Sequence, residues 1–247
     1  MTHPDFAELG RDTVADAGLS DGAYLIREAM RRALARAAAS LVQAAPGPRE
    51  FVLLDVGGRG RPYAAIFASA LSGAGRSVRH LVIDPGPGAD AVARAETLPI
   101  VSACADLVLC TQVLEHVEDP PAAVSEMARA LKPGGTCLLT THGTWFYHPD
   151  PEDYWRWTPA GLARLFTRCG FGHVTVEPVG GTKLALAVLG LTSLDRATRD
   201  TAAGGPVRRL LVAPANWLAA RRLLRRATGR VSTPGELAIN YLVTARR

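Results

Sequence analysis

The chain has 247 residues, of which 48% are hydrophobic, and a formal net charge of +5 from 28 Lys and Arg against 23 Asp and Glu. A sequence of this length and composition can bury one substantial core, which excludes a low-complexity or wholly disordered chain. Almost all of the cations are arginines, and many lie toward the C-terminus. This distribution predicts a local basic patch and argues against nucleic acid as a partner.

The cysteines and the first residues indicate the cellular compartment in which the protein is expected. Cys104, Cys110, Cys137 and Cys169 form no CxxC pair and lack the spacing of metal ligands, so we expect reduced and mostly buried thiols. The first ten residues, MTHPDFAELG, lack the apolar core of a signal peptide, and no window reaches the ~18 apolar residues of a membrane span. The sequence predicts a cytoplasmic protein without a transmembrane segment.

Residues 1–45 are predicted to form an arm and one helix. Ser20 or Asp21 is expected to cap the helix, because the following stretch YLIREAMRRALARAAASLVQAA places Leu and Ala near helical spacing. We expect this segment to act as a lid over a ligand. Three breakers should end the helix before the first strand, namely Pro46, Gly47 and Pro48.

The segment FVLLDVGGRG at 51–60 is the one around which the rest of the chain is organised. Four apolar residues lead into Asp55 and a turn with three glycines, which predicts a buried parallel strand followed by a glycine turn. Glycine reaches positive φ without steric cost and has no Cβ to keep a ligand away. Ligands of open α/β sheets bind at such carboxyl ends of strands.

A helix over 61–73 and a strand over Ser77–Asp84 are predicted next. An acid at the tip of the second strand is placed to accept hydrogen bonds from both hydroxyls of a ribose. The alternative for Asp84 is a turn-forming residue before Pro85 and Gly86. The glycine turn upstream favours the ribose.

Helices and strands continue to alternate. A buried strand over Ala105–Thr111, a bridge QVLEHV, a helix from Pro121 and a strand over Thr136–Thr141 follow in that order. Thr158 should cap the next helix, and residues 171–179 should return as a strand. This alternation predicts parallel pairing and a doubly wound sheet, because crossover connections are right-handed.

The remaining chain departs from a minimal α/β core. We expect a core over 46–180, a helical insertion over 181–235 with helices near 183–194 and 206–228, and a final strand over 236–247. The helix 206–228 is rich in arginine and leucine, which is compatible with an acceptor lid, a homodimer contact, peripheral contact with an anionic membrane, or simply a solvated face. The arginines of this helix and of the residues just after it are Arg208, Arg209, Arg221, Arg222, Arg225, Arg226 and Arg230.

Five motifs in this order resemble the class I S-adenosylmethionine-dependent methyltransferases, in particular their small-molecule, type 11-like branch. They read LDVGGRGRPY, VIDPG, AETLP, LVLCTQVLEHVEDP and LKPGGTCLLTT, and the resemblance extends over 51–171. It implies an α/β fold with a doubly wound, mostly parallel seven-stranded, Rossmann-like sheet. It also implies that the last strand runs antiparallel between its two predecessors, and that S-adenosyl-L-methionine is the cofactor.

The resemblance further implies roles for single residues. Asp55 and Gly57 would bound the methionine end of the cofactor, with Gly58 and Gly60 in the same turn, and Asp84 would hold the ribose hydroxyls. Glu96, Thr97 and Leu98 would border the adenine, and Thr111 and Gln112 would lie beneath the sulfonium carbon.

Two residues depart from the family pattern. Arg59 replaces the second glycine of the turn, so the turn is either re-registered onto Gly58 and Gly60 or widened. Arg94 stands where many relatives have an aspartate for the adenine amine, so that contact is lost or supplied by Glu96.

The loop HGTWFYHPDPEDYWRWT at 142–158 is rich in aromatic rings, histidines and acids. Such a loop is expected to line a pocket, because aromatic faces pack on the CH faces of a sugar while polar groups bind its hydroxyls. A small satellite core is the alternative, and we favour it for Trp157. The predicted acceptor-binding residues are Trp145, Tyr147, His148, Asp153, Tyr154 and Arg156.

Methyl transfer to a hydroxyl needs a base that removes the proton as the new bond forms. His142, just past the fourth long strand, is the first choice and His116 the second, each with a purely structural histidine as the alternative. His148 could instead bind a metal with Asp150 or Asp153. No spacing is diagnostic, so a divalent metal is neither indicated nor excluded.

The sequence therefore favours an O-methyltransferase that acts on a sugar, glycan or other polyhydroxylated small molecule. An N- or C-methyltransferase of a natural product and a non-catalytic partner subunit of the same fold are the alternatives. A nicotinamide dehydrogenase is disfavoured, because Pro62 stands where the GxGxxG fingerprint opens a helix.

Overall fold

The computed structural model describes residues 18–43, 50–149, 152–224 and 235–247. The predicted break at 46–48, most of the N-terminal arm and the end of the arginine-rich segment lie outside these ranges. The elements run in the order α1 (Tyr24–Gln43), β1 (Glu50–Val56), α2 (Ala64–Ser72), β2 (Ser77–Asp84), β3 (Ala91–Val92), β4 (Ala105–Thr111), a 3₁₀ turn (Leu114–His116), α3 (Pro120–Ala130), β5 (Leu131–His142), α4 (Pro159–Arg168), β6 (His173–Val179), α5 (Thr182–Thr198), α6 (Gly204–Val207), a π-helical turn (Arg208–Val212), α7 (Ala213–Leu223) and β7 (Asn240–Arg246).

The strands form one seven-stranded sheet in the order β3-β2-β1-β4-β5-β7-β6. The described pairs from β3 to β5 are parallel, and β7 runs antiparallel to β5, from Thr136 opposite Arg246 to His142 opposite Asn240. The predicted doubly wound sheet, with its last strand inserted between its two predecessors, is therefore confirmed.

The core lies in the middle of the sheet. The strand β4 reads ADLVLCT, and its residues from Leu107 to Cys110 are fully buried. A near-continuous apolar strand is the pattern of a strand that is covered on both faces. Burial raises the pKa of the Cys110 and Cys137 thiols well above the ordinary range, so both behave as packed apolar groups.

Several element boundaries differ from those predicted, for local reasons. The helix α2 begins at Ala64 and not at Arg61, because Gly60 and Arg61 have φ of 78° and 52°, which a helix does not accept. The strand β5 begins at Leu131, which pairs with Ala105, five residues earlier than expected. The helix predicted over 206–228 contains a π-helical turn within 204–223.

The chain divides into two compact units. One combines 33–177 with 240–247 and holds nearly the whole sheet; the other combines 1–32 with 178–239. In the second unit the buried Asn216 donates to the carbonyls of Leu19 and Asp21, and Asp195 pairs with Arg199 and Arg208. Within the residues that the structure describes, no helix has the length and apolar character needed to cross a membrane.

Candidate active site

The glycine turn after β1 brings backbone close to neighbouring side chains. Gly57 has φ of 77°, its N–H donates to the Ile83 carbonyl, and a Cβ there would lie 2.2 Å from Val113. A Cβ on Gly58 would lie 2.0 Å from the Asp55 carboxyl group. The positions that need glycine are thus 57, 58 and 60, so Arg59 replaces a residue that the turn does not require to be glycine.

Asp55 lies beneath this turn and not in front of it. Its side chain is 1% exposed, and its Oδ2 lies 3.0 Å from Nε2 of His80 on β2. Burial raises the pKa of Asp55, and the hydrogen bond with His80 opposes that rise only in part. Asp55 therefore packs against the turn, and its role at the cofactor's methionine end stays a prediction.

An open cavity of about 500 Å³ lies at the carboxyl ends of β1, β2 and β4. This volume is within the usual range for small-molecule sites. A second cavity, of about 200 Å³, lies between α1 and the sheet and away from these strand ends. The larger cavity is lined by Gly57, Arg59, Asp84, Pro85, Gly86, Arg94, Ala95, Glu96, Gln112, Val113, His116, Val117, Glu118, Glu152 and Tyr154.

The charges around the larger cavity are mainly negative. Four carboxylates line it (Asp84, Glu96, Glu118 and Glu152) against two guanidinium groups (Arg59 and Arg94). The Arg94 guanidinium lies 2.9 Å from Glu96 and 3.2 Å from Glu118, so it holds these two acids together at the rim. A surplus of carboxylates favours a cationic ligand.

Asp84 and Gln112 contribute the polar groups at two strand ends. Asp84 is buried at the tip of β2, and its Oδ1 accepts the Gly86 N–H at 2.7 Å. Gln112 follows β4 with φ of 56°, in the left-handed region that few non-glycine residues adopt. Its side chain donates to Thr140 at 3.2 Å and accepts from Asn240 at 3.3 Å.

The two candidate bases occupy different places. His116 lines the cavity, and its Nδ1 donates to the Glu152 carbonyl, so Nε2 is the nitrogen left to take a proton. His142 is 5% exposed, lies outside the cavity wall and has its Nδ1 2.6 Å from Asn240 Oδ1. Burial lowers the pKa of His142 to about 3, which keeps the ring neutral near neutral pH.

The loop after β5 is held against the 3₁₀ turn. The backbone N–H groups of Tyr154 and Trp155 donate to the Glu115 carbonyl, and Trp157 N donates to the His142 carbonyl. The Trp155 indole N–H donates to the Val117 carbonyl at 2.8 Å. The Trp155 ring stacks on the Trp157 ring, with 5.7 Å between the ring centroids. These contacts agree with a small satellite cluster around Trp157, and they fix Tyr154 at the cavity mouth.

Six of the predicted site residues line the cavity. They include a candidate base, cofactor-binding residues and an acceptor-binding residue. They are Gly57, Asp84, Glu96, Gln112, His116 and Tyr154. Others lie outside its walls: Asp55, Gly58, Gly60, Thr97, Leu98, Thr111, His142, Trp145, Tyr147, His148, Asp153 and Arg156. Their assigned roles stay predictions.

Three positions show why some side chains do not face the cavity. Leu98 is 5% exposed in the core, while Tyr147 is 69% exposed on the surface. Asp153 binds Arg156 and the His148 N–H. Burial opposes ionisation of Asp153, but these hydrogen bonds outweigh it and hold the pKa of Asp153 well below its usual range.

Several residues of this site were missed by the sequence reasoning. Glu118 and Glu152 line the cavity, and Asn240 joins Gln112 to His142. A buried glutamate, Glu115, lies in the 3₁₀ turn between Leu114 and His116. The only signal for Asn240 was a polar residue at the start of an apolar strand.

The sheet order and the antiparallel strand β7 are those of the class I S-adenosylmethionine-dependent methyltransferase fold, and an acid-lined cavity lies beside the glycine turn. The chain is similar to this class, and its residues 67–139 match the family model described as a methyltransferase domain. The cofactor of the class is S-adenosylmethionine. The residues fit it, because Gly57 and Gly86 present backbone without side chains to the cavity and the cavity carries surplus carboxylates.

Relatives cover only parts of the chain. An uncharacterized methyltransferase of Mycobacterium avium is 36% identical over 102 residues, which are 36% of this chain and 38% of that protein. A ubiquinone biosynthesis O-methyltransferase of Idiomarina loihiensis is 53% identical over 36 residues, 15% of each chain. The phosphoethanolamine N-methyltransferase 2 of Haemonchus contortus, solved with S-adenosyl-L-methionine, has a TM-score of 0.52 at 15% identity, over 83% of this chain and 50% of that one.

Proposed function

We propose that this protein transfers the methyl group of S-adenosylmethionine to a small molecule. The observation that carries the proposal is the cavity of about 500 Å³ beside the glycine turn, with carboxylates outnumbering guanidinium groups. The cofactor, when bound, supplies a methyl group on a positively charged sulfur. Residues with negative charge around that sulfur lower the free energy of binding.

The chain's own residues divide the work of holding this cofactor. Asp84, at the tip of β2, would accept hydrogen bonds from the ribose, while the backbone at Gly57 allows close approach of the methionine end. Gln112 would lie near the reacting groups, fixed by Thr140 and Asn240. Glu96, paired with Arg94, would border the adenine.

We further propose a hydroxyl of a sugar or other polyhydroxylated molecule as the acceptor, and His116 as the base. This reverses the order expected from the sequence, because His116 lines the cavity and His142 lies behind it. The Nε2 of His116 would accept the hydroxyl proton, while the Glu152 carbonyl holds Nδ1–H. Tyr154 and Glu152 at the cavity mouth would contact the acceptor.

The test is incubation of the protein with radiolabelled S-adenosylmethionine and a panel of sugars, lipid-linked sugars, aromatic alcohols and amines, with transferred label as the readout. We expect label on a hydroxyl compound, and we expect His116→Ala to lower turnover by about 10²- to 10⁴-fold while leaving cofactor affinity intact. The matched control is His173→Ala, which replaces an exposed histidine at the start of β6. Full turnover by His116→Ala would exclude it as the base.

Two alternatives remain from the sequence. The similarity in fold to a phosphoethanolamine N-methyltransferase keeps an amine acceptor open, and label on amines with little effect of His116→Ala would favour it. A non-catalytic partner subunit would bind the cofactor weakly, since the Arg59 guanidinium lies against Gly86 in the cavity wall. Calorimetry with S-adenosylmethionine distinguishes this case, because no heat of binding would support it.

The second compact unit carries exposed apolar side chains and arginines. Leu210 is 73% exposed, Leu186 is 60% exposed, and Arg221 lies over the Trp217 ring at 4.3 Å. This composition supports a homodimer contact or peripheral contact with an anionic membrane, as proposals. Light scattering of the protein alone tests the homodimer. Co-sedimentation with anionic vesicles, compared with neutral vesicles, tests the membrane contact.

A further inference from the structure

Behind the cavity wall, three side chains that the proposed reaction does not use converge on one point. Glu115 on the 3₁₀ turn, His142 at the end of β5 and His148 in the loop after β5 each offer one ligand atom, and these atoms lie within 4.8 Å of one another. Glu115 and His142 are buried, while His148 is partly exposed. We name these three residues the histidine cluster.

The Glu115 carboxylate has one satisfied and one unsatisfied oxygen. Its Oε2 accepts a hydrogen bond from the Thr141 hydroxyl at 2.9 Å. Its Oε1 has no hydrogen-bond partner among the described residues, although the side chain is 0% exposed. The Nε2 of His142 lies 3.3 Å from this Oε1. A buried carboxylate oxygen without a donor is costly, so a positive group at this point stabilises it.

Both histidines of the cluster are oriented by their other nitrogen. The Nδ1 of His142 lies 2.6 Å from Asn240 Oδ1, and the Nδ1 of His148 lies 3.1 Å from the Phe146 carbonyl and 3.2 Å from Asp153. Because these partners are acceptors, Nδ1 carries the hydrogen in each ring and Nε2 keeps its lone pair. Metal-binding histidines are held in this way by a carbonyl or carboxylate behind the ring.

The spacing is close to what a metal ion requires. Ligand atoms at about 2.1 Å from a tetrahedral zinc ion lie roughly 3.4 Å apart. The distance of 3.3 Å between Glu115 Oε1 and His142 Nε2 already matches this spacing. His148, whose side chain is 28% exposed in a loop, is the ligand that needs to move closer to the other two. The nearby Arg156 does not add free positive charge, because Asp153 binds it through both oxygens.

We propose that Glu115, His142 and His148 form a binding site for one divalent transition-metal ion of the zinc type. Two imidazole nitrogens and one carboxylate oxygen suit Zn²⁺, Fe²⁺ or Co²⁺, whereas Mg²⁺ and Ca²⁺ prefer oxygen ligands alone. The ion would join the 3₁₀ turn to the end of β5 and its following loop. This site is independent of the proposed acceptor and of the base assigned to His116.

The test is direct metal binding by the whole chain. After treatment with a chelator and dialysis, the protein is titrated with ZnCl₂ in a calorimeter and with CoCl₂ in an absorption spectrometer, with MgCl₂ as the comparison. We expect one Zn²⁺ or Co²⁺ per chain, no heat with Mg²⁺, and a rise in Tm with Zn²⁺. Cobalt should give the visible bands of a site with low coordination number.

Matched variants locate the site. Glu115→Gln and His148→Ala should each weaken Zn²⁺ binding at least tenfold, and His148→Ala replaces a loop side chain, so the variant should fold like the parent by circular dichroism. His116→Ala is the near control, since its ring lies 5.1 Å from the ring of His148 but its Nδ1 donates to Glu152. His173→Ala is the remote control.

Both controls should bind Zn²⁺ with the affinity of the parent. Loss of binding in His116→Ala, unchanged binding in His148→Ala, or no Zn²⁺ binding by the parent would each overturn the proposal. In the last case a proton shared by Glu115 and His142 is what fills the gap between them.

Discussion

The two sides of the cavity are built in different ways. On the turn side, Gly57 and Gly86 line the cavity with backbone, because neither has a side chain. On the opposite side, His116 and Gln112 are side chains in the wall, and a network of Asn240 and the histidine cluster lies behind them. The comparison shows that geometry near the turn depends on sterics, whereas geometry near the proposed base depends on hydrogen bonds.

The largest expected effect is on the turn side. Gly57→Ala places a Cβ 2.2 Å from Val113 at a residue with φ of 77°. We expect a loss of about 3 kcal/mol in the free energy of unfolding, from left-handed strain and overpacking together. Gly75→Ala is the control, because Gly75 has φ of 73° but open space around it, so about 1 kcal/mol is expected. Equal losses in urea denaturation would show that Val113 does not restrict the turn.

The next effect concerns cofactor affinity. Asp84→Ala removes the carboxylate at the tip of β2, and hydrogen bonds to a charged group contribute about 1.5–3 kcal/mol. We therefore expect S-adenosylmethionine to bind about 10- to 100-fold more weakly in calorimetry. Asp84→Asn keeps an oxygen for the Gly86 N–H and should lose less. Parent-like affinity of Asp84→Ala would contradict the ribose role.

The free energy of unfolding should depend on pH through Asp55, which is buried against the glycine turn. Burial raises the pKa of Asp55 above its ordinary 3.8, so the folded state holds its proton where the unfolded state has lost it. The contribution of this residue to stability is therefore greatest below that ordinary value and falls as the pH rises through the raised pKa. Urea denaturation across this pH range should show the fall in the parent and a flatter profile in Asp55→Asn. Identical pH profiles of the parent and Asp55→Asn would contradict a raised pKa of Asp55 in the folded state.

The smallest effect is at the exposed rim. Arg94→Ala frees Glu96 and Glu118 from their shared guanidinium and makes the cavity more negative. Because exposed charges are screened, we expect the cationic cofactor to bind only up to about threefold more tightly, and less so at high salt. S-adenosylhomocysteine, whose sulfur is neutral, should bind as it does to the parent. A matching gain for both ligands would rule out a charge effect.

The fold was predictable because its signals are local. Leu107 to Cys110 lie in an apolar strand, Thr158 caps α4 by accepting the Gly161 N–H, and the glycine turn follows β1. Each signal lies within a few residues of the structure that it specifies.

The site was predictable only in part, because its decisive contacts join distant segments. Nothing near His142 indicates that Asn240 will bind its ring from 98 residues away, or that burial will remove it from the cavity. Tyr154 and Trp155 are likewise positioned by the Glu115 carbonyl on another element. Such pairings follow from strand register and loop docking, which composition and spacing do not report.

The insertion of β7 beside β5 has a consequence for how the molecule assembles. Seven residues of β5 have their partners in β7, which follows β6 only after the whole segment of α5, α6 and α7. Until β7 arrives, that edge of β5 presents unpaired backbone groups, and closing so long a connection slows folding. We expect a late folding step in which pairing of this strand and delivery of Asn240 to Gln112 and His142 occur together, so a partly folded chain has a sheet but lacks the network behind the cavity wall.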